Sequence, residues 1–297
     1  MRAARFSYYR PDSVPSAVQI LRASGGTAKV LAGGQSLVPL LNRRLSRPSA
    51  LVDLGWIPGL RYLSRDGDGL RIGAMTRHAD IEADASTAIG SPFAILAEAA
   101  AGIGFRAVRV RGTVGGSVAY ADPAAQWCLI SVLFGAEIGL RGPAGGRVVL
   151  ARDFFTGAHQ TAAAPDEIVA EIRLPGPLHG AALAEYRLQT GVPPLVAAAA
   201  ALDLDGRGAV TGARLALSGV ADRPVRATSA EASLLGEIPR ASLISQVARQ
   251  LSGSLRPPAD TAADARDRAE LAEVLAARAL RESAARARAA GARQPAE

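Results

Sequence analysis

The sequence predicts a mixed α and β chain in two parts, and three observations carry that prediction. Short apolar runs alternate with helical spacing as far as Pro175-Gly176-Pro177. Past that break, two longer apolar runs flank an Asp205-Gly206-Arg207-Gly208 turn and then give way to helical sequence. The first part also holds two paired-glycine turns, Ala32-Gly33-Gly34-Gln35-Ser36 and Thr113-Val114-Gly115-Gly116-Ser117.

Residues 1–60 read as a small α/β unit. Within 15–23, Val18, Ile20 and Leu21 fall at helical spacing until Gly25-Gly26 stops them. Residues 29–32 form a short buried strand. After the first glycine pair, 36–45 reads as a helix with Leu37, Leu40, Leu41 and Leu45 on one face. Residues 51–54 make the next strand. Further on, 69–73 is strand-like, 79–83 starts a brief helix, and 93–101 is a firmer one stopped by Gly102. The second glycine turn follows, then Asp122 as N-cap and Pro123 in the first turn of a helix reaching Gly135. A hairpin over 136–150 turns at 142–146. Beyond the break, 195–204 and 209–218 pair as strands, and 242–251 and 261–290 are helical. No internal repeat is present.

Composition bounds the function. The chain has 297 residues, 49% hydrophobic and 21% charged, which suits a globular protein with two or three cores. No apolar run approaches the ~20 residues that span a bilayer, and Arg2 and Arg5 lead into polar sequence. A cytoplasmic protein with no integral membrane segment is expected. Cys128 is the single cysteine, so the chain holds no internal disulfide and no iron–sulfur cluster. Its apolar neighbours mark it as a small buried hydrophobe. His78, His159 and His179 lie in unrelated segments and make no zinc site, so no metal ligands are assigned. No Ser-His-Asp set is present and no catalytic residue is named. Any redox chemistry rests on an organic cofactor. The net charge of +7 is spread along the chain and aromatic residues are only 4%, which argues against nucleic acid as a partner.

The glycine turns carry the chemistry. Paired glycines permit positive φ and remove the Cβ atoms that keep an anion away. Successive amides then converge on phosphate oxygens, with Ser36, Thr113 and Ser117 adding hydroxyls. The plain alternative is two tight turns with no ligand. Gly102-Ile103-Gly104-Phe105-Arg106-Ala107 matches a dinucleotide fingerprint on paper, but a helix precedes it where a strand is required. It reads as a helix end and turn.

These residues resemble the FAD-binding medium subunit of the molybdenum hydroxylases, the family of aerobic carbon monoxide dehydrogenase and xanthine dehydrogenase. The likeness runs through Phe6-x-Tyr8-x-x-Pro11, Leu31-Ala-Gly-Gly-Gln-Ser-Leu-Val-Pro39, Ile72-Gly-Ala-Met-Thr76 and Arg111-Gly-Thr-Val-Gly-Gly-Ser117. It continues through Ala121-Asp-Pro-Ala-Ala125, Asp153-Phe-Phe-x-Gly157 and Ile172-x-Leu-Pro175 to Arg278-Ala-Leu280.

The resemblance implies an α+β fold: a two-lobed, vanillyl-alcohol-oxidase-like (PCMH-type) FAD-binding domain before a C-terminal α+β domain of a small antiparallel sheet with helices. The lobes would be 1–60 and 61–176, the C-terminal domain 177–290, and 291–297 a disordered tail. It implies that Leu31, Ala32, Gly33, Gly34, Gln35, Ser36 and Leu37 bind FAD non-covalently, together with Thr113, Val114, Gly115, Gly116 and Ser117. Gln126 stands where the family has Asp and would touch the ribityl chain. The implied partners are a molybdopterin-binding large subunit and a small subunit with [2Fe–2S] clusters, doubled into a dimer of heterotrimers. Electrons would pass from those clusters through FAD to an external acceptor. Two further departures stand out. Val110 replaces the family's Asn, and Gly191-Val192-Pro193-Pro194 replaces its Gly-Asp-Tyr or Gly-Asp-Phe. The second motivates an alternative, a stand-alone FAD-dependent oxidoreductase without a molybdenum partner.

Overall fold

The protein is described here by a computed structural model covering residues 3–291. The tail expected at 291–297 therefore lies outside the described residues, apart from Gly291 in the last helix.

The first unit runs β1 (Ser7–Tyr9), α1 (Val14–Ala23), β2 (Ala28–Leu31), α2 (Leu37–Asn42) and β3 (Ala50–Asp53). The strands form a parallel sheet in the order β1-β3-β2. Ser13 caps α1 and Pro15 occupies its first turn, where a missing N–H costs nothing. Ala17, Val18 and Leu21 of α1 pack on Ala50 and Val52 of β3. The helix expected over 36–45 is shorter. Arg44 takes φ +58°, the Leu45 amide folds back to the Leu40 carbonyl at 2.9 Å, and Leu45 is left 71% exposed. Leu54, expected to end β3, instead begins a single 3-10 turn capped by Asp53.

The second unit runs β4 (Leu63–Asp66), β5 (Gly69–Gly73), α3 (His78–Ala83), α4 (Ala94–Ala101), α5 (Arg106–Arg109), α6 (Val114–Tyr120) and α7 (Gln126–Phe134). It then continues through β6 (Glu137–Gly142), β7 (Gly145–Leu150), α8 (Ala151–Phe154), β8 (Phe155–Gly157), β9 (Gln160–Thr161) and β10 (Ile168–Leu174). Its sheet is antiparallel, in the order β4-β5-β10-β6-β7. The central strand β10 sends Ile172 and Leu174 into this unit's core and Ile168 and Ala170 into the first unit's, which ties the two together. Helix α7 is buried along its whole length. It opens at Gln126, so the helix expected from Asp122 starts later. The Asp122 carboxylate instead accepts the Ala124 amide at 2.9 Å, a side-chain turn that competes with helix formation.

The last part holds β11 (Ala182–Tyr186), β12 (Val196–Leu204), β13 (Val210–Ser218) and β14 (Val225–Arg226), an antiparallel sheet in sequence order. Helices α9 (Thr228–Ala232), α10 (Ala241–Ser254) and α11 (Ala265–Gly291) complete it. On β12, Ala198, Ala200 and Leu202 face these helices, while Ala197, Ala199 and Ala201 join the second unit's core. Among the described residues no helix is long and apolar enough to cross a membrane.

Candidate functional site

The two glycine turns meet in space. Gly33 lies against the Arg111 carbonyl and the Gly112 Cα, and a Cβ built on Gly33 would overlap that carbonyl oxygen. Gly34 holds φ +75°, a conformation that strains any side chain. Gly115 is pressed on Ala74, and a Cβ on Gly116 would come within 2.7 Å of Thr113 Oγ1. So three of these glycines serve close packing, and Gly34 serves the backbone turn.

Their amides differ more than their sequences do. Among the described residues, the amides of Gly33, Gly34, Gln35 and Ser36 donate to no acceptor. In the second motif Val114 donates to the Thr76 carbonyl and Gly115 to the Ala74 carbonyl, both at 2.9 Å. Gly116 donates to Thr113 Oγ1 at 3.1 Å and Ser117 to the Thr113 carbonyl at 3.0 Å. The second motif is therefore the capped first turn of α6. The expectation of two like loops with converging amides is corrected: one turn offers free donors, and the other offers shape and hydroxyls.

Both turns line one cleft of about 750 Å³ between the first two units. That lies within the ~300–1,000 Å³ typical of small-molecule and cofactor sites. Ala32, Gly33, Gly34, Gln35, Ser36 and Leu37 line it, with Thr113, Gly115, Gly116 and Ser117 opposite. Leu31 and Val114 do not line it; Val114 is buried in the core beneath. Gln126 is also outside the lining. It is 4% exposed, and its Nε2 donates to the Gly102 carbonyl at 3.4 Å.

The wall chemistry favours an anion. Lys29 lines the cleft. Glu167 does too, but Arg147 grips it at 2.7 Å and holds its carboxyl below the usual range, so its charge is answered within the wall. Free amides, a cation and this space fit a cofactor that carries a diphosphate. Among the described residues no group of three or more His, Cys, Asp or Glu is placed to hold a metal. Cys128 is fully buried, and burial pushes its thiol pKa up, away from reactivity.

Sequence reasoning gave the histidines no role, yet two of them touch this region. His78 sits behind the second turn, donating its amide to the Gly112 carbonyl at 3.1 Å. His159 lines the cleft beside Tyr120. A lone histidine in a two-residue turn carries no periodic signal, so nothing in the sequence pattern pointed to it. The Gly102–Gly104 segment lies between α4 and α5, as a helix end and turn. The departing segment packs onto it. Gly191, at φ +84°, lies under the Phe105 ring, and Arg187 pairs with Glu185 while donating to the Val192 carbonyl at 3.0 Å.

Comparison with known proteins adds the family. Residues 4–177 match the FAD binding domain in molybdopterin dehydrogenase, and residues 181–283 match the CO dehydrogenase flavoprotein C-terminal domain. The chain is 34% identical to the 6-hydroxypseudooxynicotine dehydrogenase complex subunit alpha of Paenarthrobacter nicotinovorans, over 97% of each chain. It is 35% identical to the carbon monoxide dehydrogenase medium chain of Afipia carboxidovorans, over 95% of this chain and 98% of that one. Among solved structures, a chain of quinoline 2-oxidoreductase from Pseudomonas putida 86 superposes with a TM-score of 0.91. That match has 34% identity and covers 97% of this chain and 99% of that one.

Proposed function

The chain belongs to the family of FAD-binding medium subunits of molybdopterin dehydrogenases, and on that premise we propose that it relays electrons from the [2Fe–2S] clusters of a partner subunit, through FAD held in the cleft, to an external acceptor. The observation that supports the site is the row of unbonded amides from Gly33 to Ser36, facing a second turn whose glycines keep the gap narrow. When bound, FAD supplies the electron-carrying chemistry that no side chain here provides.

The chain's own residues do the holding. Gly33, Gly34, Gln35 and Ser36 donate to the diphosphate, while Ser117 and Thr113 bound its other side. Lys29 adds positive charge to the wall. Leu31 and Val114 act from below, as the ends of the elements that present the two turns. Gln126 acts indirectly, by fixing the Gly102 carbonyl. A molybdopterin-binding large subunit oxidises the organic substrate, and the assembly is a dimer of heterotrimers.

The test is expression of the full chain with and without the two companion subunits. Stoichiometric bound FAD, and co-purification of both companions, is the expected result. Colourless protein that takes up no FAD would overturn the cofactor assignment. FAD binding without companions would favour the stand-alone flavoprotein, which the altered segment around Gly191 motivates.

A further inference from the structure

Ala158 and His159 form the two-residue turn between β8 and β9, where Gly157 pairs with Gln160. His159 takes φ +56°, a conformation that is uncommon without glycine. Its amide donates at 2.9 Å to the carbonyl of Ala121, which is itself left-handed at φ +50° where α6 ends. Two non-glycine residues in strained backbone are thus bonded to each other. Strain held in place by neighbouring structure points from the observation to a function. What the strain achieves is a placement: the imidazole lies 4.5 Å, centroid to centroid, from the Tyr120 ring and tilted 46° to it, and both rings line the cleft.

The hydrogen bonding of the ring adds chemistry. His159 Nδ1 is 3.2 Å from the Tyr120 carbonyl. A carbonyl only accepts, so in the neutral ring this contact places the proton on Nδ1 and leaves Nε2 as an acceptor. The pair therefore combines an aromatic surface with one acceptor nitrogen at the wall of a nucleotide-sized cleft.

We propose that Tyr120 and His159 form a binding subsite for one ring system of the dinucleotide, a planar nitrogen heterocycle that stacks on the Tyr120 ring and donates an N–H from its edge to His159 Nε2. This rests on the FAD reading given above. Adenine and isoalloxazine both have that chemistry, and the free halves of the cofactor tell them apart.

The test measures binding of FAD, ADP and FMN to the full chain, with thermal melting, for wild type, His159→Gly and Tyr120→Leu. Glycine relieves the turn, so His159→Gly is expected to leave the melting temperature unchanged or raise it, while FAD affinity falls about tenfold. Either ADP or FMN should weaken to match, with the other unchanged. Tyr120→Leu should repeat the same selective loss. An FAD affinity within twofold of wild type in both variants would overturn the subsite. So would equal weakening of all three ligands with a lower melting temperature, because the turn would then be structural. Failure of the wild type itself to bind FAD would sink the cofactor reading along with this one.

Discussion

Trp127 donates its indole N–H to Nδ1 of His78 at 2.9 Å, which holds the imidazole neutral with its proton on Nε2. Burial, with a smaller contribution from the Arg109 charge, pushes the His78 pKa down from 6.5 to about 4. Above pH 6.5 both folded and unfolded chains leave this group uncharged. Below it the unfolded chain takes up a proton that the native state refuses. Stability should therefore fall as pH drops from 6.5 towards 4, by about 2–3 kcal/mol at pH 4.5. Urea midpoints at pH 7 and 4.5 should differ less in His78→Gln than in wild type, with the carboxylates titrating equally in both.

The contact between Gly33 and the Arg111 carbonyl should make Gly33→Ala more damaging than its size suggests. The added methyl meets backbone, which cannot rotate away. The expected cost is about 1–3 kcal/mol of stability, with bound FAD per chain reduced at least tenfold. Gly253→Ala is the control: it lies within α10 with open space around it, and should be neutral or stabilising. Flavin absorbance per mole of chain and a melting curve separate the two.

Thr113 caps α6 through its hydroxyl, so Thr113→Val should cost about 0.5–2 kcal/mol. Thr113→Ser keeps the oxygen and should restore most of it. Loss of FAD in the valine variant with full retention in the serine variant is the expected pattern by titration calorimetry.

Arg268 is 6% exposed and donates to the carbonyls of Leu195 at 2.8 Å and Gly219 at 3.1 Å. Arg268→Met leaves both carbonyls buried and unpaired, and should cost about 2–4 kcal/mol. Its partner Asp260 is half-exposed, where solvent screens the pair, so Asp260→Asn should cost far less. Chemical denaturation of the two variants checks the difference.

The hairpin of β12 and β13 was legible to within a residue, because long apolar runs flank an Asp-Gly turn that admits few other conformations. Helix α2 was overrun, since leucine spacing cannot register the left-handed turn at Arg44 that turns Leu45 to solvent. The two glycine motifs read alike because their letters are alike. What separates them is whether Ala74 and Thr76, distant in sequence, bring carbonyls to the second one. Tyr120 and His159 were missed for the same reason: their pairing exists only once β8, β9 and the end of α6 are brought side by side. Gln126 reads as a cofactor contact only through a family position that holds Asp, and its amide bonds the Gly102 carbonyl.

The alternating alanines of β12 have a consequence for how the molecule comes apart. Ala198 and Ala200 are dry against one set of helices, and Ala197, Ala199 and Ala201 are dry against the other core. A strand buried on both faces belongs to neither half alone. Cutting the chain near Pro175 would wet one whole face of this sheet, so the C-terminal part should be insoluble by itself. Heating the intact chain should give one cooperative transition in place of two, with calorimetric and van't Hoff enthalpies that agree.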